Sequence, residues 1–225
     1  MISRLSFSAV AVLATASALA APPQLSTQQQ KFSYAVGFQI AQGLKRDGIE
    51  IDHKAFSQAV EDVMRGKTPQ LTAAEMQAAV QQFREDKARE QAQVAEKNAK
   101  AGEAFMAANK KKKGVVTLPS GLQYKVIKAG TGARPKPTDT VVVNYRGALT
   151  NGQVFDSSYK RGEPATFQVN QVIKGWQEVL PLMKEGAKWQ VVIPPDLAYG
   201  PRGAGSVIGP NETLVFDVEL LSIKK

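Results

Sequence analysis

Val143-Asn144-Tyr145-Arg146-Gly147, followed three residues later by Asn151-Gly152-Gln153-Val154-Phe155-Asp156-Ser157-Ser158, is the stretch that decides the fold. Its first part belongs to a valine-rich run over 140–148, which reads as a strand. Asn151-Gly152, set between Leu149 and Phe155, is the signal of a tight hairpin, because both residues tolerate the backbone angles such a turn requires. Working outward, residues 122–128, 166–169, 187–193 and 213–223 also alternate or run apolar, with Gly, Pro and Asn between them. One helical stretch, from 172 to about 182, interrupts the strands. The expectation is an α+β chain whose C-terminal part, 114–225, is a twisted antiparallel sheet wrapped on one short helix. At roughly 110 residues this part is large enough to bury its own core.

Upstream of Gly114 the pattern changes to helix. Ser26 with Gln29 fits a capping box, and Phe32, Val36, Ile40 and Leu44 recur every fourth residue behind it. Asp52 opens a second segment with Phe56, Val60, Val63 and Met64 on one face, closed by Gly66 and Pro69. Thr72 with Glu75 opens a third, whose apolar stripe of Met76, Val80 and Phe83 fades into polar sequence. Unbroken to Asn109, this helix would be about 57 Å long. Two readings fit its polar second half: a solvent-exposed arm, or disorder in the last third. The division is thus a helical domain over 21–71, a connecting helix with a lysine-rich hinge over 72–113, and the sheet domain over 114–225. The short helices have too little bulk for a stable core of their own, so their apolar faces predict a homodimer; a monomeric helical hairpin is the alternative.

Residues 1–20 run in the order charged, apolar, small, from Arg4 through 5–13 to Ala18-Leu19-Ala20. That is the order of a secretory signal peptide, with cleavage expected near Ala20, and the apolar run is short for a membrane span. The expected product is an exported, periplasmic protein without an integral membrane segment. The chain has no cysteine and a single histidine, His53, which excludes disulfides, thiolate metal sites, a cysteine nucleophile and histidine-clustered metals. Its formal charge is +9, from 29 Lys+Arg against 20 Asp+Glu. The only dense basic run is Lys110-Lys111-Lys112-Lys113, which reads as a solvated hinge, so a nucleic-acid partner is not expected.

In the C-terminal part Tyr145, Phe155, Val172, Ile173, Trp176, Tyr199, Ile208 and Phe216 occupy turns and strand ends as well as strands. A twisted sheet wrapped on one helix can bring these around a single apolar hollow, with Asp156 beside Phe155 at its edge. No histidine accompanies Ser157 and Ser158, and no carboxylate pair is set by local spacing. The residues alone therefore describe a sparse apolar pocket, and leave open whether it binds or catalyses.

The opening blocks, together with Val172-Ile173-Lys174-Gly175-Trp176, Ile193-Pro194-Pro195-Asp196-Leu197-Ala198-Tyr199-Gly200 and Thr213-Leu214-Val215-Phe216-Asp217-Val218-Glu219-Leu220, resemble FKBP-type peptidyl-prolyl cis-trans isomerases, in the right order. With the N-terminal helices included, the chain resembles their two-domain, macrophage-infectivity-potentiator-like periplasmic subgroup. The resemblance implies an enzyme without cofactor or metal that isomerises X–Pro bonds in unfolded or partly folded exported proteins, as a V-shaped homodimer. It implies Trp176 as the pocket floor, with Tyr145, Phe155, Val172, Ile173 and Phe216 as walls. The Tyr199 hydroxyl and the Ile173 N–H become donors to substrate carbonyls, Asp156 lies beside the rotating amide with Arg161 as its charge partner, and Val207 and Ile208 close the loop side. It also implies binding of macrolide immunosuppressant-type inhibitors. Ala165, where many members carry an aromatic, and Gly209, where proline is usual, depart from the pattern. The rival reading is a non-catalytic chaperone that holds clients with its helical arms and cleft.

Overall fold

The computed structural model describes residues 25–224; the expected signal segment lies outside them. The chain divides into two compact units, Met1–Arg65 and Gly66–Lys225, so the long helix is counted with the sheet and not with the short helices.

The first unit holds α1 (Gln28–Arg46) and α2 (His53–Met64). The capping box forms one residue later than the sequence pattern suggests. Thr27 accepts from the Gln30 N–H at 3.2 Å, and the Gln30 side chain accepts from the Thr27 N–H at 3.0 Å. Ser26 adds its own N–H to the same Gln30 oxygen at 3.0 Å. Asp52 caps α2 as expected, accepting from Lys54 and Ala55 at 2.9 and 2.8 Å. No residue of α1 is buried, and Asp62 is the only buried residue of α2. The helices exist because caps and periodicity favour them; their apolar faces stay open.

In the second unit, α3 (Ala73–Lys110) is one unbroken 38-residue helix started by the Thr72–Glu75 capping box. Its last third is neither disordered nor a free arm. Asn109 donates to the Gln123 side chain at 2.9 Å, and Gln123 donates to the Met106 carbonyl at 3.0 Å, both residues being buried. Asn98 donates to the Pro210 carbonyl at 2.9 Å. At Gly102 a Cβ would come within 2.2 Å of the Thr213 Oγ1, so helix and loop meet there backbone to side chain.

The sheet is antiparallel and seven-stranded: β1 (Val115–Thr117), β2 (Gln123–Lys128), β3 (Thr140–Leu149), β4 (Val154–Ser157), β5 (Ala165–Gln168), β6 (Lys188–Ile193) and β7 (Leu214–Lys224). The order is β1-β2-β6-β7-β3-β4, with β5 also pairing β3. The Asn151-Gly152 hairpin joins β3 to β4 and is closed by the Leu149 N–H on the Gln153 carbonyl at 2.9 Å. Alternation in β7 sends Leu214, Phe216, Val218 and Leu220 inward, against Val141, Val143 and Tyr145 of β3. The single-turn α4 (Ser158–Arg161) follows β4, and α5 (Lys174–Val179) crosses the inner face of the sheet. The expected helix over 172–182 is shorter as α-helix, because Pro181 has no N–H to extend the ladder and residues Leu180–Leu182 tighten to a 3-10 turn. Gly175 lets α5 lie directly on β6: a Cβ there would sit 2.5 Å from an Ile193 methyl. That close approach sets the next residue, Trp176, into the middle of the sheet's concave face.

Candidate active site

Trp176 is buried at the first turn of α5 and forms the base of a cavity of about 350 Å³. Three rings stand edge-on to it: Phe216 from β7 at 5.3 Å, Tyr145 from β3 at 5.4 Å and Phe167 from β5 at 5.7 Å, with interplanar angles of 79°, 89° and 88°. Phe155 from β4 stands edge-on to Phe216 at 5.6 Å. Such tilted pairs match positive ring edges to negative ring faces and hold the rings in place. The Trp176 indole N–H is buried with no hydrogen-bond partner among the described residues.

One wall is polar. The Tyr145 hydroxyl donates to the Asp156 carboxylate and accepts from Arg161 Nη2 at 2.9 Å, while Arg161 also pairs with Asp156. The Arg161 guanidinium lies 5.5 Å from the Tyr145 ring centre. This triad is assembled by local structure. The hairpin sets Asp156 opposite Gly147, and α4 carries Arg161 back over the strand. Buried Ser158 pins the start of α4 to β3, its Oγ accepting from the Tyr145 N–H at 2.9 Å and donating to the Asn144 side chain at 3.0 Å.

Burial pushes the Asp156 carboxyl up, but the Tyr145 hydroxyl, the Arg161 guanidinium and the Ser157 N–H outweigh it and hold the group below the usual carboxylate range. It is an anion at neutral pH. Burial, together with the bond to Asp156, pushes the Tyr145 phenol up. Tyr199 is pushed up by burial and by the charge of Asp156, so it keeps its proton. Its ring lines the cavity, 39% of the residue is exposed, and its hydroxyl makes no hydrogen bond within the described chain. A neutral donor, Tyr199, and a fixed anion, Asp156, thus stand among the aromatic rings of the hollow.

Of the residues expected at the pocket, Tyr145, Phe155, Asp156, Val172, Ile173, Trp176, Tyr199 and Phe216 line the cavity together. Arg161 stands behind Asp156 as its ion-pair partner. Val207 and Ile208 stand apart from the lining. Ile208 packs into the core beside a two-residue bridge to Ala204, and Val207 faces outward. Phe167 and Gln171 line the cavity without having been singled out from the sequence. Phe167 was within reach of strand periodicity, since it shares a face of β5 with Ala165. It supplies an aromatic wall two residues on from that alanine. Gln171 sits in an irregular turn and carries no such signal.

Comparison with known proteins covers both halves of the chain. The family model described as FKBP-type peptidyl-prolyl cis-trans isomerase matches residues 132–221, and the one described as the domain amino terminal to it matches residues 29–126. The peptidyl-prolyl cis-trans isomerase Mip of Coxiella burnetii is 49% identical over 225 residues, covering 98% of this chain and 97% of its own. The outer membrane protein MIP of Legionella longbeachae is 47% identical over 217 residues, covering 95% and 93%. The crystal structure of FkpA from Escherichia coli superposes with a TM-score of 0.64 at 39% identity, covering 89% of this chain and 99% of that one. The helical N-terminal part and the sheet on its short helix are therefore an FKBP architecture. The chain belongs to the family of FKBP-type peptidyl-prolyl cis-trans isomerases.

Proposed function

We propose that the Trp176 cavity is where this isomerase twists X–Pro amides of unfolded or partly folded exported proteins. The observation that carries the reading is the pairing of a ring-walled hollow with an anchored anion, Asp156, and a protonated, partly exposed donor, Tyr199.

Rotation about an X–Pro amide costs about 18–20 kcal/mol, because it breaks resonance, and takes tens of seconds or more unaided. No bond to another atom has to form, so neither nucleophile nor cofactor is required. The planar amide carries more charge separation than the twisted one. Walls made of Trp176, Phe155, Phe167 and Phe216 solvate that separation poorly and lower the barrier to twisting. The Tyr199 hydroxyl and the Ile173 N–H hold flanking carbonyls, so that one side of the chain turns against the other. Asp156, fixed by Tyr145 and Arg161, faces the charge that shifts as the nitrogen leaves conjugation. Val207 and Ile208 act, on this reading, through the loop beside Tyr199. The same cavity is the expected seat of macrolide immunosuppressant-type inhibitors, which would compete with a proline peptide.

The test is isomerisation of a short proline-containing peptide by the folded chain. Asp156→Ala and Tyr199→Phe should each lower kcat/KM while thermal unfolding stays cooperative. Full activity in both overturns this account of the site.

The open faces of α1 and α2, with Phe32 67% and Val63 75% exposed, favour a homodimer built on the N-terminal helices. They also fit a holding role towards clients. Suppression of client aggregation that survives a Trp176 substitution would support holding by the helices. A periplasmic location follows from the charged–apolar–small order of residues 1–20. No helix among the described residues is long and apolar enough to cross a membrane.

A further inference from the structure

Gln177 lies outside the cavity, exposed on α5 one residue after Trp176, yet it grips the turn that forms one cavity wall. Its Nε2 donates to the Val172 carbonyl at 2.7 Å and to the Asn170 carbonyl at 3.3 Å. Its backbone N–H donates to the Ile173 carbonyl at 3.1 Å. One residue thus holds three carbonyls of the segment whose side chains Gln171, Val172 and Ile173 line the cavity. The Trp176 N–H shares the Ile173 carbonyl at 2.9 Å and the Val169 N–H reaches the Asp139 carbonyl at 3.0 Å. Among the described residues, no hydrogen bond other than those of Gln177 is made to the Asn170 and Val172 carbonyls. Ile173 at the start of α5 and Gln168 at the start of the preceding 3-10 turn make no side-chain cap bond.

The peptide unit between Val172 and Ile173 is planar and trans, so its carbonyl and its N–H point in opposite directions. A bond that fixes the Val172 carbonyl on the Gln177 side therefore aims the Ile173 N–H the other way. We infer that Gln177 is a positioning residue: its side-chain amide sets the direction of the Ile173 N–H and so the anchoring of a substrate backbone carbonyl. This rests on the proposed reading of the Ile173 N–H as a substrate donor. The amide suits the task because its NH2 has two hydrogens for two carbonyls. A glutamate of the same shape has only acceptors at neutral pH and would set negative oxygens against both carbonyls. Methionine has neither donor nor charge, and lysine keeps donors.

The experiment measures kcat and KM on a proline tetrapeptide for the whole chain and for Q177M, Q177E and Q177K, with thermal unfolding of each. The Ile173 amide resonance is followed in 1H–15N spectra as the same peptide is added. Loss of one such hydrogen bond predicts a fall in kcat/KM of about 3- to 10-fold in Q177M, carried mainly by KM. Q177E should fall further, and Q177K should recover most of the loss. In the unsubstituted chain the Ile173 resonance should move on peptide addition, and in Q177M it should move less. Wild-type kinetics in Q177M and Q177E, with the Ile173 resonance still moving, overturn the role of Gln177 alone. So does a Q177K as impaired as Q177M, which would reduce the side chain to packing. An Ile173 resonance that does not move in the unsubstituted chain overturns the donor reading underneath, whatever the variants do.

Discussion

Phe32 of α1 and Phe216 of β7 are the same side chain in opposite circumstances: one is 67% exposed, the other 4%. The contrast extends to their units. The sheet unit turns Val143, Val191, Leu214 and Val218 fully inward, while α1 buries no residue at all. Both units have apolar residues at the right periodicity, so periodicity is not what separates them. The sheet unit has enough chain to fold one apolar face onto another. The two short helices do not, and their stripe is complete only against something else. A unit's apolar pattern thus says which face is buried, and its length says whether the chain alone can bury it.

The largest effect should come from breaking the helical side of this contrast. Phe32→Asp combined with Ile40→Asp puts two charges into the α1 stripe. Each such side chain, when buried, is worth about 1.5–3 kcal/mol, so the pair should weaken self-association by more than ~100-fold. Mass by light scattering should halve, while peptide isomerisation stays unchanged. A variant that remains dimeric would place the contact elsewhere.

Next come changes inside the cavity. Asp156→Ala leaves Arg161 and the Tyr145 hydroxyl without their shared partner, and should lower kcat/KM by about 10- to 100-fold. Tyr199→Phe removes one exposed donor and should cost about 3- to 10-fold. Neither should alter the mass of the full chain.

A third change sharpens the boundary between the two kinds of region. Gly102→Ala drives a methyl into the Thr213 Oγ1, where α3 packs on the loop leading into β7. It should destabilise the sheet unit by about 1–3 kcal/mol, read as a lower Tm, with self-association intact. An unchanged Tm would mean that α3 is not an integral part of that unit.

The smallest effect is on pH. The Asp156 carboxyl lies below its unfolded value, so the stability it contributes is complete above that value, and it is lost as pH falls through the lower folded value. Tyr145 and Tyr199 are both shifted upward and stay protonated at neutral pH. Activity should therefore be flat across neutral pH and should fall only below the ordinary carboxylate range near ~4. A decline between neutral pH and that range would point to a different titrating group.

Much of the fold was legible because its signals are local. Alternation marks β3 and β7, Asn151-Gly152 marks their hairpin neighbour β4, and Thr72 with Glu75 marks the start of α3. The ordered blocks carried most of the lining, since Phe155 and Asp156 are adjacent and Ile173 and Trp176 are only three residues apart. What escaped is non-local or irregular. The three-residue β1 is too short to show a period. The Asn98–Pro210 bond spans 112 positions, and nothing near Asn98 announces it. The Asp156–Arg161 pair was expected from the resemblance, but the Tyr145 hydroxyl joining both depends on how tightly α4 folds back, which a spacing of 16 residues does not state. Phe167 was hidden by its neighbour Ala165, whose small side chain drew attention to a missing aromatic when one stood two residues on.

The proposed reading is that the cavity acts within a self-sufficient sheet unit while the helical unit requires a second copy. It is tested most directly by measuring kcat/KM on one short proline peptide for residues 66–225 and for the full chain, with the mass of each by light scattering. The prediction is equal kcat/KM, with the fragment monomeric and the full chain dimeric. A folded fragment that has lost the activity, or a full chain that is monomeric, would contradict it.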